Sequence, residues 1–184
     1  MPPIKTFRIF FKSNENYLRF LFLFFVFFIS GQALHYLFFP LTDPLQFNFL
    51  NAEVGSKIIN LIHPPENAIT QGNLIRSGNF VVAVGWGCEA TDGMITLGAG
   101  ILALQISFLQ RITGLFFGAF TIYTANLMRI VLLFFMLKYK PHLFEIFHVY
   151  IGQIFLILIA ICFFIFWAKT CHATIYQPTA EKQA

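Results

Sequence analysis

The chain has 184 residues, of which 58% are hydrophobic and only 11% charged, with 26 phenylalanines. Those proportions exclude an ordinary soluble domain, whose apolar runs are interrupted by charge every few residues. A net charge of +4 with a pI near 9.1 would suit a nucleic-acid binder only if the basic residues clustered with exposed aromatics; here they flank apolar segments, so no nucleic-acid partner is expected.

The first 19 residues carry Lys5, Arg8, Lys12 and Arg19 against a single acid, Glu15. A Phe- and Leu-rich run follows from about Tyr17 to Phe39 and stops at Pro40 and Pro44. It is too long for a signal-peptide core and has no small-residue cleavage site, which predicts a retained first transmembrane helix with a cytoplasmic basic start. From Leu45 to Cys88 the pattern changes. Phe47, Leu50, Val54, Ile58 and Leu61 recur at helical spacing, while Asn48, Asn51, Lys57 and Asn60 take other faces. That periodicity predicts an amphipathic helix along the outer membrane interface, ended by Pro64 and Pro65. Asn73 to Arg76 and Phe80 to Val84 flank Ser77, Gly78 and Asn79, the signature of a small hairpin or extended loop.

A Gly- and Ala-rich second span is expected from about Glu89 to Ile106, and a third from Ile112 to Leu137, joined by a short cytoplasmic turn containing Arg111. Gly114 and Gly118, four apart, give the third span a smooth packing patch. A polar loop over Lys138–Phe147 leads to a last span from His148 to Trp167, followed by Lys169 and a polar tail. The predicted fold class is therefore an all-α integral membrane bundle of about four transmembrane helices, with an interfacial amphipathic helix and a short extracytoplasmic loop or hairpin. The whole of 1–184 is expected to form one membrane-embedded domain. Four crossings place both termini in the cytoplasm, with seven Lys or Arg inside (Lys5, Arg8, Lys12, Arg19, Arg111, Lys169, Lys182) against Lys57, Arg76, Lys138 and Lys140 outside, as the positive-inside rule demands. No internal repeat is visible.

On this topology three reactive residues share one depth: Cys88 at the outer mouth of span two, Arg129 inside span three and His148 at the outer start of span four. Arg129 follows Arg111 by 18 residues, roughly 27 Å along an α-helix, which puts it near the outer edge of the hydrocarbon. A thiol attacks as its thiolate, and Cys88, after Gly85, Trp86 and Gly87, sits where a helix is expected to begin, so exposed N–H groups would favour the charged form. The glycines would let a substrate backbone approach. His148 is the candidate proton acceptor and Arg129 the fixed cation for the thiolate or an oxyanion. Each has a plain alternative: a small apolar filler for Cys88, an interfacial polar group for His148, snorkelling for Arg129. Asn126, one turn before Arg129, is placed to bond substrate or to hold the guanidinium. Glu89 and Asp92 are open between opposing the thiolate, pairing with Arg129 and orienting His148. Cys162 and Cys171 lie too deep or on the wrong side to pair with Cys88, none of the three cysteines forms a pair at metal-site spacing, and no cofactor motif is visible.

Three blocks, Gly85-Trp86-Gly87-Cys88-Glu89-Ala90-Thr91-Asp92-Gly93, Asn126-Leu127-Met128-Arg129-Ile130 and Phe144-Glu145-Ile146-Phe147-His148, resemble the exosortase and archaeosortase signatures, in the family's own order of Cys, Arg and His. The wording around Cys88 is most similar to the short exosortase H type, and the likeness spans about Val82 to Gln153. The resemblance implies a bacterial inner-membrane enzyme whose site faces the periplasm. It implies exported substrates bearing a C-terminal sorting signal of motif, apolar helix and basic tail. By that analogy Cys88 is the nucleophile, Arg129 the family arginine and His148 the proton-transfer residue, and an acceptor amine or water releases the acyl-enzyme. Many exosortases are longer than this chain, and the small residue usual two places after the cysteine is here Ala90. The competing reading from the residues alone is a small transporter or assembly subunit with a polar path through Arg129, Glu89, Asp92 and His148; a third is a structural scaffold.

Overall fold

The computed structural model describes residues 15–38, 44–85 and 88–175. Lys5, Arg8, Lys12, Phe39, Pro40, Trp86, Gly87 and Lys182 lie outside the described residues, and with them part of the expected charge asymmetry. Three helices are long and apolar enough to cross a membrane, spanning Asn16–Phe38, Phe108–Tyr139 and Pro141–Cys171. A fourth, over Thr91–Ala103, is apolar but shorter. The expectation of about four spans thus resolves into three long helices and one of 13 residues, whose length of about 20 Å falls short of a ~30 Å hydrocarbon layer.

In chain order the elements are α1 (Glu15–Phe38), α2 (Pro44–Ile62), a three-stranded antiparallel sheet of β1 (Ile69–Gln71), β2 (Leu74–Ser77) and β3 (Phe80–Ala83), α3 (Thr91–Ala103), α4 (Phe108–Tyr139), α5 (Pro141–Glu145), a π-helical segment (Ile146–Ile151) and α6 (Gly152–Ile175). Both hairpin turns are Gly-Asn, with Gly72 at φ 64° and Gly78 at φ 58°. Only the first central residue of each turn has positive φ, as a type II′ turn requires, and glycine takes that conformation without steric cost. The second hairpin was expected; β1 is an addition to it.

The predicted boundaries shift for local reasons. Ser107 and Gln110 form a capping box, Ser107 N–H donating to Gln110 Oε1 at 3.0 Å, so α4 begins at Phe108 rather than Ile112. Arg111 lies in the first turn of α4 instead of the connecting loop, where its guanidinium donates to the Leu104 carbonyl at 3.1 Å and caps the end of α3. The polar loop expected over Lys138–Phe147 is helical except at Lys140, because Pro141 opens a new helix at a position where its missing N–H costs nothing. The last membrane helix therefore starts well before His148.

Gly114 and Gly118 serve as expected. A methyl on Gly114 would strike Trp167, and one on Gly118 would lie 3.0 Å from Leu97 and 3.2 Å from Phe163, so α3, α4 and α6 meet closely there. Gly31 likewise admits Ile95 of α3 against α1, at 2.8 Å from an added Cβ. The buried residues form two clusters. Leu97, Ile101, Ile122, Ala125 and Leu156 fill the space between α3, α4 and α6. Ala52, Ile59, Ile75, Val84, Ile130 and Phe134 join α2 and the sheet to the C-terminal half of α4.

On α2 the apolar stripe stays outward, as an interfacial helix requires, but part of the polar face turns inward. Leu50 and Leu61 are exposed, whereas Asn48, Asn51 and Ser56 are buried beside Ala52 and Ile59. In a membrane protein the apolar stripe is satisfied by lipid, and the polar face turns inward where it finds partners.

A buried carboxylate locks the sheet to α4. Glu66, in the 3₁₀ turn Pro64–Glu66, is 4% exposed and accepts from Lys138 Nζ, Ser77 Oγ and Tyr139 OH. Lys138 also donates to Ser77 Oγ at 2.9 Å. Burial alone would raise the Glu66 pKa, but these hydrogen bonds and the Lys138 charge outweigh it and hold it at about 2, against an ordinary 4.5. The folded-state value is depressed, so the lock contributes its full stability above pH 4.5 and loses it as pH falls toward 2. Glu66→Ala strands Lys138 without its counter-charge and is expected to cost about 3–5 kcal/mol. Thermal melting in detergent checks this: the wild type loses stability between pH 5 and pH 3, whereas the variant starts lower and shows a flatter pH response.

Candidate active site

Cys88 lies between β3 and α3 and is 8% exposed. Its N–H donates to the Gly85 carbonyl at 3.1 Å. Its own carbonyl accepts from two buried amides, Asn51 Nδ2 on α2 at 3.1 Å and Asn126 Nδ2 on α4. The main chain at the thiol is thereby clamped from two helices. Asn126 was expected to bond substrate or guanidinium; it holds the cysteine backbone instead. Asn51 was read as a polar-face residue and is 1% exposed at this clamp. Its signal was the asparagine repeat on α2, Asn48-Asn51, which is legible as an inward face only once lipid is taken as the medium outside.

The thiol stands outside the first turn of α3. Ala90 is the N-cap, with φ 58°, so Cys88 precedes the cap by two residues and the N–H groups of the helix start do not lie on it. The left-handed conformation at a residue 8% exposed favours a small side chain there. Burial raises the Cys88 thiol pKa above its ordinary value; the Arg129 charge and a hydrogen bond that the sulfur accepts from the Gly85 backbone N–H pull it down, and Glu89 pushes it up. A raised pKa favours the thiol over the thiolate at rest.

His148 lies across a small cavity from the thiol. Cys88 and His148 line the same space of about 50 Å³, together with Val82, Val84, Ile130 and Phe144. The His148 ring stacks on Phe144, with centroids 5.3 Å apart and planes 7° from parallel, and its buried Nδ1 has no hydrogen-bond partner. An imidazole nitrogen buried without a partner is a costly arrangement that a reacting thiol or a substrate N–H would relieve. His148 sits in the π-helical segment, whose widened turn changes the direction of the following side chains; such turns occur mostly at functional sites. No local signal in the sequence marks this turn.

Arg129 is 4% exposed in α4 and donates through Nη2 to the His148 carbonyl at 3.1 Å. Gly152 makes room for it: an added Cβ would lie 2.5 Å from Arg129 Nε and 2.9 Å from the Phe147 carbonyl oxygen. Gly152→Ala should gain helix propensity yet displace the guanidinium, and any activity that depends on Arg129 is expected to fall by about 10²-fold. The comparison of catalytic rate with protein level in membranes checks it, since a merely structural glycine would lower the level rather than the rate.

Glu89 opposes the thiolate, one of the roles left open for it, and both it and Asp92 accept from amides of other helices. Asn48 Nδ2 donates to Glu89 Oε1 and Gln32 Nε2 to Asp92 Oδ1, both at 3.1 Å. Both carboxylates line a separate cavity of about 710 Å³ between α1, the start of α3 and α6. The structure thus brings Cys88, Arg129, His148 and Asn126 together, and Glu89 and Asp92 beside them. Cys162 is exposed on α6 and Cys171 buried near its end. Among the described residues no three His, Cys, Asp or Glu side chains converge as a metal site would need.

A family model described as transmembrane exosortase matches residues 8–167. The chain belongs to the transmembrane exosortase family. The match spans all the elements that form the site, from α1 to the Trp167 end of α6. No curated protein and no solved structure matches this exosortase. Its membership and its apolar helices make it a multi-pass membrane protein with an exosortase-type function.

Proposed function

We propose that this exosortase is a cysteine transpeptidase or peptidase that cleaves the C-terminal sorting signal of exported proteins in a bacterial inner membrane, with its site toward the periplasm and its termini in the cytoplasm. The observation that carries the reading is the shared cavity of Cys88 and His148, with Arg129 bonded to the His148 carbonyl beneath it. His148 accepts the thiol proton, and the Cys88 sulfur attacks the scissile carbonyl. Arg129 offsets the negative charge that develops on sulfur and then on oxygen. Collapse of the tetrahedral intermediate expels the amine of the downstream segment, protonated by His148, and leaves a thioester on Cys88. An acceptor amine, or water, attacks that thioester and restores the thiol. Asn51 and Asn126 hold the Cys88 main chain so that the sulfur keeps its place through both steps. The substrate would be an exported protein ending in a motif, an apolar helix and a basic tail, with no nucleic acid and no cofactor involved.

The test is co-expression with a reporter carrying such a signal and a tag at each end, followed by blotting of membranes. Wild-type enzyme is expected to release the C-terminal tag. A reporter that keeps both tags with wild-type enzyme, for every such protein encoded by the source genome, contradicts the proposal.

A further inference from the structure

β3 is an edge strand, and its free edge runs to the cavity that holds Cys88 and His148. The β2–β3 register pairs Leu74 with Ala83, Ile75 with Val82, Arg76 with Val81 and Ser77 with Phe80. Val84 N–H donates to the Asn73 carbonyl at 2.8 Å, so Asn73 and Val84 form a hydrogen-bonded pair. Antiparallel alternation then makes Val82–Ile75 and Phe80–Ser77 hydrogen-bonded pairs, and Ala83–Leu74 and Val81–Arg76 non-hydrogen-bonded ones. The N–H and C=O groups of Val81 and Ala83 therefore point away from β2. Among the described residues no strand pairs with β3 on that side.

This edge is short, but it carries no side chain of the kinds that keep edges from pairing. It reads Phe80-Val81-Val82-Ala83, with no lysine and no proline, and Val81 is 42% exposed. An unguarded apolar edge in a folded protein invites another extended chain. The far edge is different, because the chain entering β1 is bound to α2, Asn60 Nδ2 donating to the Ala68 carbonyl at 2.8 Å and Ala68 N–H to Asn60 Oδ1 at 2.6 Å. On the β3 side, Val82, Ala83 and Val84 form one wall of the reactive cavity and Phe144 and His148 another, with Cys88 at its end.

We infer that the free edge of β3 docks the cleavage segment of the substrate as a fourth strand, its backbone pairing with Val81 and Ala83. Resting on the peptide-cleavage reading above, this assigns recognition first to extended peptide backbone and only second to side chains. Two outward pairing positions about 7 Å apart fix the register of the bound segment. The scissile carbonyl is then delivered at a set distance beyond Ala83, where the chain turns toward Cys88.

The probe is the doubly tagged reporter, first required to be cut by wild-type enzyme and left intact by Cys88→Ala. Val81→Pro and Ala83→Pro each delete an outward N–H and no β2–β3 bond, a substitution that edge strands accept. Each is expected to slow processing at least tenfold with the melting temperature kept within a few degrees. Independently, a photo-crosslinking residue replacing Val81 in the Cys88→Ala background is expected to capture the reporter near its cleavage site, whereas the same residue replacing Ile69 on β1 captures none. Should both proline variants fold and process at the wild-type rate, or should crosslinks form equally from Ile69, the edge is not the docking strand. If the proline variants do not fold, the crosslinking comparison alone decides. A reporter not cut in a Cys88-dependent way instead overturns the cleavage reading itself, and edge docking falls with it.

Discussion

Cys88→Ala is expected to lower reporter processing by at least about 10⁴-fold, with the protein still folded in the membrane. The size follows from removing the atom that, on the proposed mechanism, forms the covalent intermediate. The fold should survive because the side chain is small and apolar in its packing, so its truncation costs about 1 kcal/mol. Cys88→Ser should lose nearly as much activity: the buried hydroxyl is a far weaker acid than a thiol, and burial raises even the thiol pKa here. The pair of variants also separates this account from a polar transport path, which has no use for sulfur. A Cys88→Ala protein that still processes the reporter would return the residue to the role of apolar filler.

The second large effect is expected at Arg129. Arg129→Lys keeps the positive charge but has one compact ammonium in place of a planar fork, and it cannot both donate to the His148 carbonyl and keep its charge close to Cys88. Processing should fall by 10²–10³-fold, the usual cost of losing one preorganised donor. If the role of Arg129 were only to neutralise a buried charge, the lysine would restore most of the activity. The pH dependence of the residual rate adds a check. The Arg129 charge pulls the thiol pKa down in the wild type, so an ammonium held farther away should shift the high-pH limb of the rate profile, where the thiol ionises, to higher pH.

Much of the chemistry was legible in the sequence because it rests on residue types that are expensive in a membrane. Arg129 in an apolar helix and Cys88 after a Gly-rich turn needed an explanation before any fold was known, and the helix rise alone placed them at one depth. The first span and the Gly114–Gly118 patch were legible for the same reason, each being a local pattern with one physical meaning. What escaped depends on partners far along the chain. Glu66 meets Lys138 across 72 residues, and no periodicity announces that pairing. The burial of Asn48 and Asn51 on α2 escaped because an interfacial helix is expected to turn its polar face to water, and only their distant partners Glu89 and Cys88 draw it inward. The β1 strand had a signal, the Gly72-Asn73 dipeptide repeated at Gly78-Asn79, that a search for one hairpin passes over. The start of the last helix at Pro141 was hidden by the charges of Lys138 and Lys140, which belong to the end of one helix and its cap rather than to a loop.

The measurement that bears most directly on the account is acid quenching of the enzyme during turnover of the tagged reporter, followed by mass spectrometry of its cysteine peptides. The account predicts a hydroxylamine-labile thioester joining the N-terminal part of the reporter to Cys88, and none on Cys162 or Cys171. Cleavage that proceeds with Cys88 unmodified and replaceable by alanine, or an adduct on either other cysteine, would contradict it.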